Sequence, residues 1–220
     1  MKIKLLLPLL IGVIMLEASD IKKENPKEQI WKIQNDPYYK HKKSQFEILA
    51  LNEKYKTIML GDSITDEAQW DELLNSDTIQ NRGISGDTTD GVIDRLNPIG
   101  KNIEKVFIMI GVNDIMRGKP VDEVYLNYLK IIQFFKEKNI KIHIQSTLYI
   151  GESRKADFNP KIEELNKRLE KYTSENQITF INLNPIFAPN KILKKECTFD
   201  DLHLNGSAYN LWATKIKKYF

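Results

Sequence analysis

A serine in the first third of this 220-residue chain and a histidine near its end have the residue types needed for nucleophilic catalysis. Ser63 lies in the string Gly-Asp-Ser-Ile-Thr at 61–65, and Asp200 stands three residues before His203. A serine hydroxyl is a weak nucleophile until a base removes its proton, and a histidine that is oriented by a carboxylate is a common base. The sequence therefore predicts that Ser63, His203 and Asp200 meet in the folded chain.

Two further strings contain hydrogen-bond donors for the negative charge that develops when such a serine attacks a carbonyl carbon. Asn-Arg-Gly-Ile-Ser-Gly-Asp-Thr-Thr occupies 81–89, and Gly-Val-Asn-Asp occupies 111–114. Gly86 lets the backbone approach a substrate without a Cβ atom in the way, and Asn113 has two amide donors. Donors of these kinds form oxyanion holes.

Each of these strings also has a purely structural interpretation. A serine before a helix is commonly its N-cap, Ser-Gly-Asp at 85–87 would be a turn before a capped helix, and Asn113 would lie in another turn. Each interpretation is plausible alone, but all four segments in this order favour a shared site. A phosphate-binding loop is disfavoured because neither Gly-x-x-x-x-Gly-Lys-Ser/Thr nor Gly-x-Gly-x-x-Gly occurs.

Alternating apolar runs and helical patterns predict the fold that positions these residues. The apolar runs cover 57–60, 78–81, 106–110, 140–147 and 178–183, and the helical patterns cover 66–74, 87–96, 121–138, 160–173 and 207–219. Strands that alternate with helices indicate an α/β fold with a parallel sheet covered on both faces. Ligands bind beyond the carboxyl ends of such strands. Three of the motif strings follow apolar runs at that end, so one shared site is expected.

The first 55 residues are predicted to precede the domain that holds these motifs. Lys2 and Lys4 come before an apolar run at 5–16 that is too short to span a bilayer, so residues 1–19 are interpreted as an export signal. An uncleaved membrane anchor is the alternative. Residues 20–55 are predicted to be a helical extension and residues 56–220 a single domain. Export would place that domain in the periplasm, or on the inner membrane if the signal is not cleaved.

Charge and the remaining candidate side chains argue against other classes of function. The 33 Lys and Arg residues nearly balance the 30 Asp and Glu residues, which does not favour nucleic-acid binding. Cys197 is the only cysteine, so no internal disulfide forms, and no second histidine is placed to activate its thiol. His143 lies in an apolar strand pattern and is expected to be structural and hydrogen-bonded, whereas His41 is expected to be exposed.

The strings that contain Ser63, Gly86, Asn113 and His203 resemble the four sequence blocks of the SGNH (GDSL-type) hydrolases. They are similar above all to the branch with platelet-activating-factor acetylhydrolase-like proteins and bacterial carbohydrate esterases. That similarity is carried by Gly-Asp-Ser-Ile-Thr, by the string at 81–89, and by Asp-Leu-His-Leu-Asn at 201–205. The resemblance implies a flavodoxin-like three-layer α/β/α sandwich around a five-stranded parallel sheet.

The same resemblance implies a role for each of five residues. Ser63 would be the nucleophile, His203 the general base and acid, and Asp200 the carboxylate that orients the imidazole. The N–H groups of Ser63 and Gly86 and the side-chain amide of Asn113 would form the oxyanion hole. The resemblance implies an ester hydrolase that needs neither metal nor cofactor and acts on small-molecule or polysaccharide esters. The sequence identifies no partner protein.

The branch and the export signal together predict a short acyl group, most of all acetyl, on a cell-envelope carbohydrate as the substrate. Two alternatives remain open: a lysophospholipase or thioesterase acting on longer chains, and a non-catalytic envelope binding protein with the same fold.

Two departures from the family pattern bear on the site. Asp201 stands where a glycine is often found, and Tyr149 stands where relatives often carry proline, so the loop after the fourth strand is expected to differ.

Overall fold

A five-stranded parallel sheet forms the centre of the molecule, which a computed structural model describes over residues 32–154 and 156–220. The predicted export signal at 1–19 lies outside the described residues. The strands are β1 (Thr57–Gly61), β2 (Ile79–Gly83), β3 (Lys105–Met109), β4 (Lys141–Gln145) and β5 (Thr179–Ile181). Their spatial order is β2-β1-β3-β4-β5, and every neighbouring pair is parallel. This order is that of the flavodoxin-like doubly wound fold, as the resemblance implied.

Helices cover both faces of the sheet, which confirms the predicted three-layer α/β/α arrangement. The helices of the domain are α2 (Ser63–Asp66), α3 (Trp70–Leu74), α4 (Thr89–Asp94), α5 (Val112–Met116), α6 (Val121–Glu137), α7 (Asn159–Glu175), α8 (Asn184–Phe187) and α9 (Gly206–Ile216). Helix α6 contacts α4 and α7 in one layer, and α3 contacts α9 in the other. Because both faces are covered, the central strand β3 is apolar and buried almost throughout.

The helical pattern predicted over 66–74 is two short helices rather than one. The side chain of Asn81 on β2 donates hydrogen bonds to the carbonyl oxygens of Thr65, Asp66 and Ala68 at 2.9–3.0 Å. The Trp70 indole N–H donates to the Thr65 carbonyl oxygen at 2.9 Å. These side chains satisfy carbonyl groups that a continuous helix would use internally, so the chain turns between α2 and α3.

Before the sheet, the chain forms a 3₁₀ turn (Ile33–Asn35) and helix α1 (Pro37–Leu49). The carboxylate of Asp36 caps α1 by accepting hydrogen bonds from two backbone N–H groups, and Pro37 occupies the first helical position, where no N–H is needed. The extension predicted at 20–55 thus contains one helix in its described part. No helix of residues 32–154 and 156–220 has both the length and the apolar character required to cross a bilayer.

His143 lies at the middle of β4, where the sequence predicts a structural residue. Its ring is fully buried on β4 and stacks on Phe107 of β3 with 4.5 Å between ring centroids. Within the described residues, neither ring nitrogen has a hydrogen-bond partner, so the expectation of a hydrogen-bonded histidine is wrong. Burial, together with the charges of Lys141 and Lys105, lowers the pKa of His143 to about 4. The ring is therefore neutral and packs in the core like an apolar side chain.

Replacing His143 with leucine should make the protein less sensitive to acid. An unfolded histidine binds a proton below pH 6.5, whereas the folded ring resists protonation down to about pH 4, so its contribution to stability is lost as pH falls between these values. The free energy of unfolding of His143→Leu relative to wild type should rise by about 2 kcal/mol between pH 7 and pH 5. Urea unfolding at both pH values measures this difference. An equal difference at the two pH values would contradict the assignment.

Candidate active site

Ser63 begins helix α2 directly after the carboxyl end of β1. The preceding Asp62 is the N-cap of that helix, because its carboxylate accepts the Ile64 N–H at 3.1 Å. The interpretation of Ser63 as an N-cap is therefore wrong. Ser63 has only 4% of its surface exposed and lies where the sheet edge meets a helix N-terminus, a position that favours negative charge.

His203 connects Ser63 to Asp200 through both of its ring nitrogens. Its Nε2 atom lies 2.8 Å from Ser63 Oγ, and its Nδ1 atom lies 2.8 Å from Asp200 Oδ2. Both distances are those of good hydrogen bonds. The structure thus brings together the three side chains that the sequence predicts to meet, although Ser63 and His203 are 140 residues apart along the chain.

The carboxylate of Asp200 is held in place by its own loop. Its Oδ1 atom accepts the backbone N–H groups of His203 at 2.8 Å and Leu202 at 3.1 Å. Burial raises the pKa of Asp200, but the hydrogen bonds from the backbone and imidazole of His203 outweigh it and hold that pKa well below its usual range. Arg154 adds a second tie, since its guanidinium donates to Asp200 Oδ2 at 2.6 Å and to the Asp200 carbonyl oxygen at 2.8 Å.

The backbone of Asp201 has a conformation that favours glycine. Its φ angle is +63°, in the left-handed region where glycine is favoured and aspartate is tolerated. The Asp201 carboxylate points to the loop after β4, where it accepts the Ser153 N–H at 3.0 Å, and the Asp201 carbonyl oxygen accepts the Gly151 N–H at 2.8 Å. Asp201 therefore supports the loop on which Arg154 stands instead of contacting His203.

The loop that contains Gly86 is hydrogen-bonded to both sides of Ser63. The Ile84 N–H donates to the Gly61 carbonyl oxygen at 3.2 Å, and the Ser85 N–H donates to the Asp66 carboxylate at 3.2 Å. Gly86 itself has a φ angle of +75°, a backbone conformation that residues with a side chain rarely adopt. Asp66 ends the same short helix that Ser63 begins, so these bonds set the position of the loop relative to Ser63.

Asn113 lies on the other side of that loop, at the start of α5. Its Nδ2 atom donates to the Asp87 carbonyl oxygen at 3.0 Å. An amide group has two N–H donors, so this bond orients the side chain and leaves a second donor. Hydrogen bonds therefore place Ser63, His203, Asp200, Gly86 and Asn113 in one neighbourhood at the carboxyl edge of the sheet.

Residues 59–211, which include all five of these positions, match the GDSL-like lipase/acylhydrolase family. The chain belongs to this family. The match covers the sheet and its helices and begins after α1, so α1 and the turn before it lie outside the matched region.

Individual solved structures agree with this family assignment. A protein of Streptococcus pneumonia described as a platelet activating factor has a similar structure, with a TM-score of 0.76 at 28% identity, over 83% of this chain and 92% of that chain. A GDSL-like lipase from Bacteroides thetaiotaomicron gives a TM-score of 0.72 at 25% identity, over 83% and 97% of the two chains.

A third relative is a longer protein. The N-acylneuraminate cytidylyltransferase of three Streptococcus agalactiae strains is 27% identical over 179 residues, which is 81% of this chain. The chain spans 41% of the length of that relative.

A fully buried ion pair lies beneath this site. Arg95 Nε donates to Asp87 Oδ2 at 2.7 Å, and Arg95 Nη2 donates to the Gly61 carbonyl oxygen at 2.9 Å. The side chains of Asp87 and Arg95 are 0% and 2% exposed. Burial raises the pKa of Asp87 to about 6 despite the opposing charge of Arg95. The pair joins the end of β1 to the Gly86 loop.

Asp114 makes a second connection that sequence reasoning left without a role. Its carboxylate accepts the Thr89 N–H at 2.9 Å and the Thr89 hydroxyl at 2.7 Å, which joins α5 to the start of α4. Burial raises the pKa of Asp114 against these hydrogen bonds. The position of Asp114 next to Asn113 in Gly-Val-Asn-Asp could have indicated this role. No sequence pattern indicates the roles of Arg95 and Arg154.

Asp62 adds a fully buried carboxyl group to the site. Burial raises the pKa of Asp62 to about 8, and the charges of Asp87 and Asp114 raise it further. Among residues 32–154 and 156–220, no three His, Cys, Asp or Glu side chains converge in a way that could hold a metal ion. Cys197 is buried as a free thiol, and burial raises its pKa.

Removing Arg95 should destabilise the fold strongly, because Asp87 would remain buried without its partner. We expect Arg95→Met to lower the free energy of unfolding by about 3 kcal/mol or more. The matched control is Lys167→Met, which removes a 72% exposed partner of Glu163 and should leave stability unchanged within error. Urea unfolding of wild type, Arg95→Met and Lys167→Met measures these changes. Similar unfolding midpoints for the two variants would contradict a structural requirement for the Arg95–Asp87 pair.

Proposed function

We propose that this acylhydrolase is a serine ester hydrolase that works through an acyl-enzyme on Ser63. The observation that carries the proposal is the continuous hydrogen-bond chain from Ser63 Oγ through His203 to Asp200, with 2.8 Å at each step. A base within this distance of the hydroxyl can accept its proton as the oxygen attacks, and a carboxylate on the far nitrogen stabilises the imidazolium that results.

The proposed reaction proceeds in two halves. His203 Nε2 takes the Ser63 proton while Oγ bonds to the ester carbonyl carbon, and the carbonyl oxygen becomes an oxyanion. The intermediate collapses when the alcohol leaves with the proton from His203, and the acyl group stays on Ser63. Water then attacks the acyl carbon, gives a proton to His203, and releases the acid as the proton returns to Oγ.

The oxyanion hole is assigned to the N–H groups of Ser63 and Gly86 and the Asn113 amide. The bond from Asn113 to the Asp87 carbonyl oxygen supports this role because it fixes the amide before substrate arrives. Donors that are already oriented stabilise developing charge without reorganisation. The low pKa of Asp200 keeps this carboxylate ionised throughout the neutral range, so it can balance the imidazolium.

For the substrate we infer a short acyl group, acetyl above all, on a carbohydrate of the cell envelope. Membership of the acylhydrolase family supports ester cleavage. The streptococcal relatives are named for an acylated sugar, which supports a carbohydrate carrier. The predicted export signal at 1–19 supports an envelope location in the periplasm or on the inner membrane. The cytidylyl transfer named for those relatives is not assigned to this chain.

One surface feature favours the second candidate, hydrolysis of longer acyl chains. Phe199 is 94% exposed and directly precedes Asp200, so an apolar ring stands in water beside the triad. A ring of this kind can contact an alkyl chain. Rates on nitrophenyl esters from acetate to palmitate separate the two candidates, since a preference for the long chains would rule out an acetylesterase.

The direct test is acetate release from purified envelope polysaccharides, peptidoglycan included. Wild-type protein should release acetate, and Ser63→Ala should reduce the rate to background because no nucleophile remains. A fluorophosphonate probe should label wild type and not Ser63→Ala. Folded wild-type protein that is not labelled would instead favour the non-catalytic binding protein.

Asn113→Ala should lower kcat by two to three orders of magnitude, roughly the effect of losing one oxyanion-hole donor. KM should change little, because the donor acts on charge that develops in the transition state. Steady-state kinetics on nitrophenyl acetate measure both constants. An unchanged kcat would remove Asn113 from the mechanism.

A further inference from the structure

The chain before the matched family region packs against the Gly86 loop. Ile33, Tyr39 and Phe46 are buried with Ile84 in a small apolar cluster that is separate from the main core. Ile84 belongs to the loop, and the other three belong to the 3₁₀ turn and α1. We call Ile33, Tyr38, Tyr39, Lys42 and Phe46 the N-terminal brace.

Ile33 touches the loop and the following helix at two glycines. A Cβ atom built on Gly86 would lie 3.7 Å from Ile33 Cδ1, and one built on Gly91 would lie 2.7 Å from Ile33 Cγ2. The second distance is too short for any side chain, so glycine at 91 is what allows the close approach. Only 3% of the surface of Ile33 is exposed, so this residue packs against the buried side of the loop and does not contact a substrate.

The second contact of the brace runs through Asp66. The Tyr38 hydroxyl donates to Asp66 Oδ2 at 2.7 Å, and Lys42 Nζ pairs with Asp66 Oδ1 at 2.6 Å. The same Oδ2 atom accepts the Ser85 N–H next to Gly86. Asp66 thus joins three segments: the helix that carries Ser63, the Gly86 loop, and α1.

The third contact supports the buried ion pair. The ring of Phe46 lies 5.6 Å from the guanidinium carbon of Arg95, which pairs with Asp87 directly after Gly86. The Tyr39 hydroxyl oxygen lies 2.7 Å from the Gly91 carbonyl oxygen and 2.8 Å from Asp94 Oδ2, two acceptors for its single proton. The first two contacts thus reach Ile84 and, through Asp66, Ser85 before Gly86, and the third reaches Asp87 after it through Arg95.

We propose that the N-terminal brace positions the Gly86 N–H relative to Ser63, with Ile33 as the principal positioning residue. This inference rests on the proposed role of Gly86 in the oxyanion hole. A loop glycine with a positive φ angle has wide conformational freedom, and displacement of a catalytic donor by about 1 Å can reduce the rate about 100-fold. Contacts with a helix outside the family region restrict that freedom.

The test uses the full chain with matched isoleucine variants. Ile33→Ala should lower kcat on nitrophenyl acetate by about 10- to 100-fold with KM nearly unchanged. Ile33→Val removes the methyl group that reaches Gly86 and keeps the branch at Gly91, so it should give a smaller loss of the same kind. The control is Ile48→Ala, at a residue of α1 that is 70% exposed, and it should behave as wild type. Equal kcat for the Ile33 and Ile48 variants would overturn the proposal.

Two further measurements separate positioning from a general loss of stability. In a Gly86→Ala background, Ile33→Ala should lower kcat by less than about three-fold, because the donor that it positions is already displaced. Losses that multiply in full would contradict the proposal. Tyr38→Phe removes one hydroxyl from a residue that is 45% exposed and leaves the core intact. It should still lower kcat several-fold. An unchanged kcat would contradict the proposed contact through Asp66.

Hydrogen exchange tests the brace without relying on activity. Backbone amides of 84–88 should exchange faster in Ile33→Ala than in Ile48→Ala, and equal exchange would overturn the positioning claim. If wild-type protein shows no Ser63-dependent hydrolysis, the proposed function fails, and the exchange experiment still decides whether the brace holds the loop.

Discussion

Arg95 reaches from the end of α4 to the carboxyl edge of the sheet, where its guanidinium bonds Asp87 and the carbonyl oxygen of Gly61 out of contact with water. Burying two charges is unfavourable unless each is paired and hydrogen-bonded, so alternative placements of these segments are penalised. Asp87 continues the chain of contacts, because its carbonyl oxygen accepts the Asn113 amide. The ends of β1, β2 and β3 are thereby held at fixed distances, and the positions of Ser63, Gly86 and Asn113 depend on them.

Further side chains orient the residues of the site in successive shells. His203 contacts Ser63 directly, and Asp200 orients His203 while backbone N–H groups and Arg154 orient Asp200. On the opposite side, the N-terminal brace packs behind the Gly86 loop. Family membership accounts for the residues at the centre, whereas the brace belongs to the part of the chain that the family match does not cover.

Sequence patterns predicted the sheet and its order of elements because apolar runs and helical periodicity are local properties. They failed where a distant side chain intervenes. The side-chain amide of Asn81 on β2 donates to the carbonyl oxygens of Thr65 and Asp66 in α2 and of Ala68 after it, so α2 ends there. No pattern near 66–74 reveals this. The role of Asp201 was also hidden, since its left-handed conformation follows from the shape of the loop and not from its neighbours in sequence.

The sequence by itself determined the α/β class, the family blocks, and the set of five residues at the site, since these depend on residue type, spacing and turn chemistry. Only the tertiary structure decided that His203 lies 2.8 Å from Ser63 Oγ, that Asp62 and not Ser63 caps α2, and that α1 packs on the Gly86 loop. The shifts in the pKa of Asp62, Asp87 and Asp200 also arise there, through burial and hydrogen bonding. Desolvation and hydrogen bonding act through neighbours in space, and folding alone brings those neighbours together.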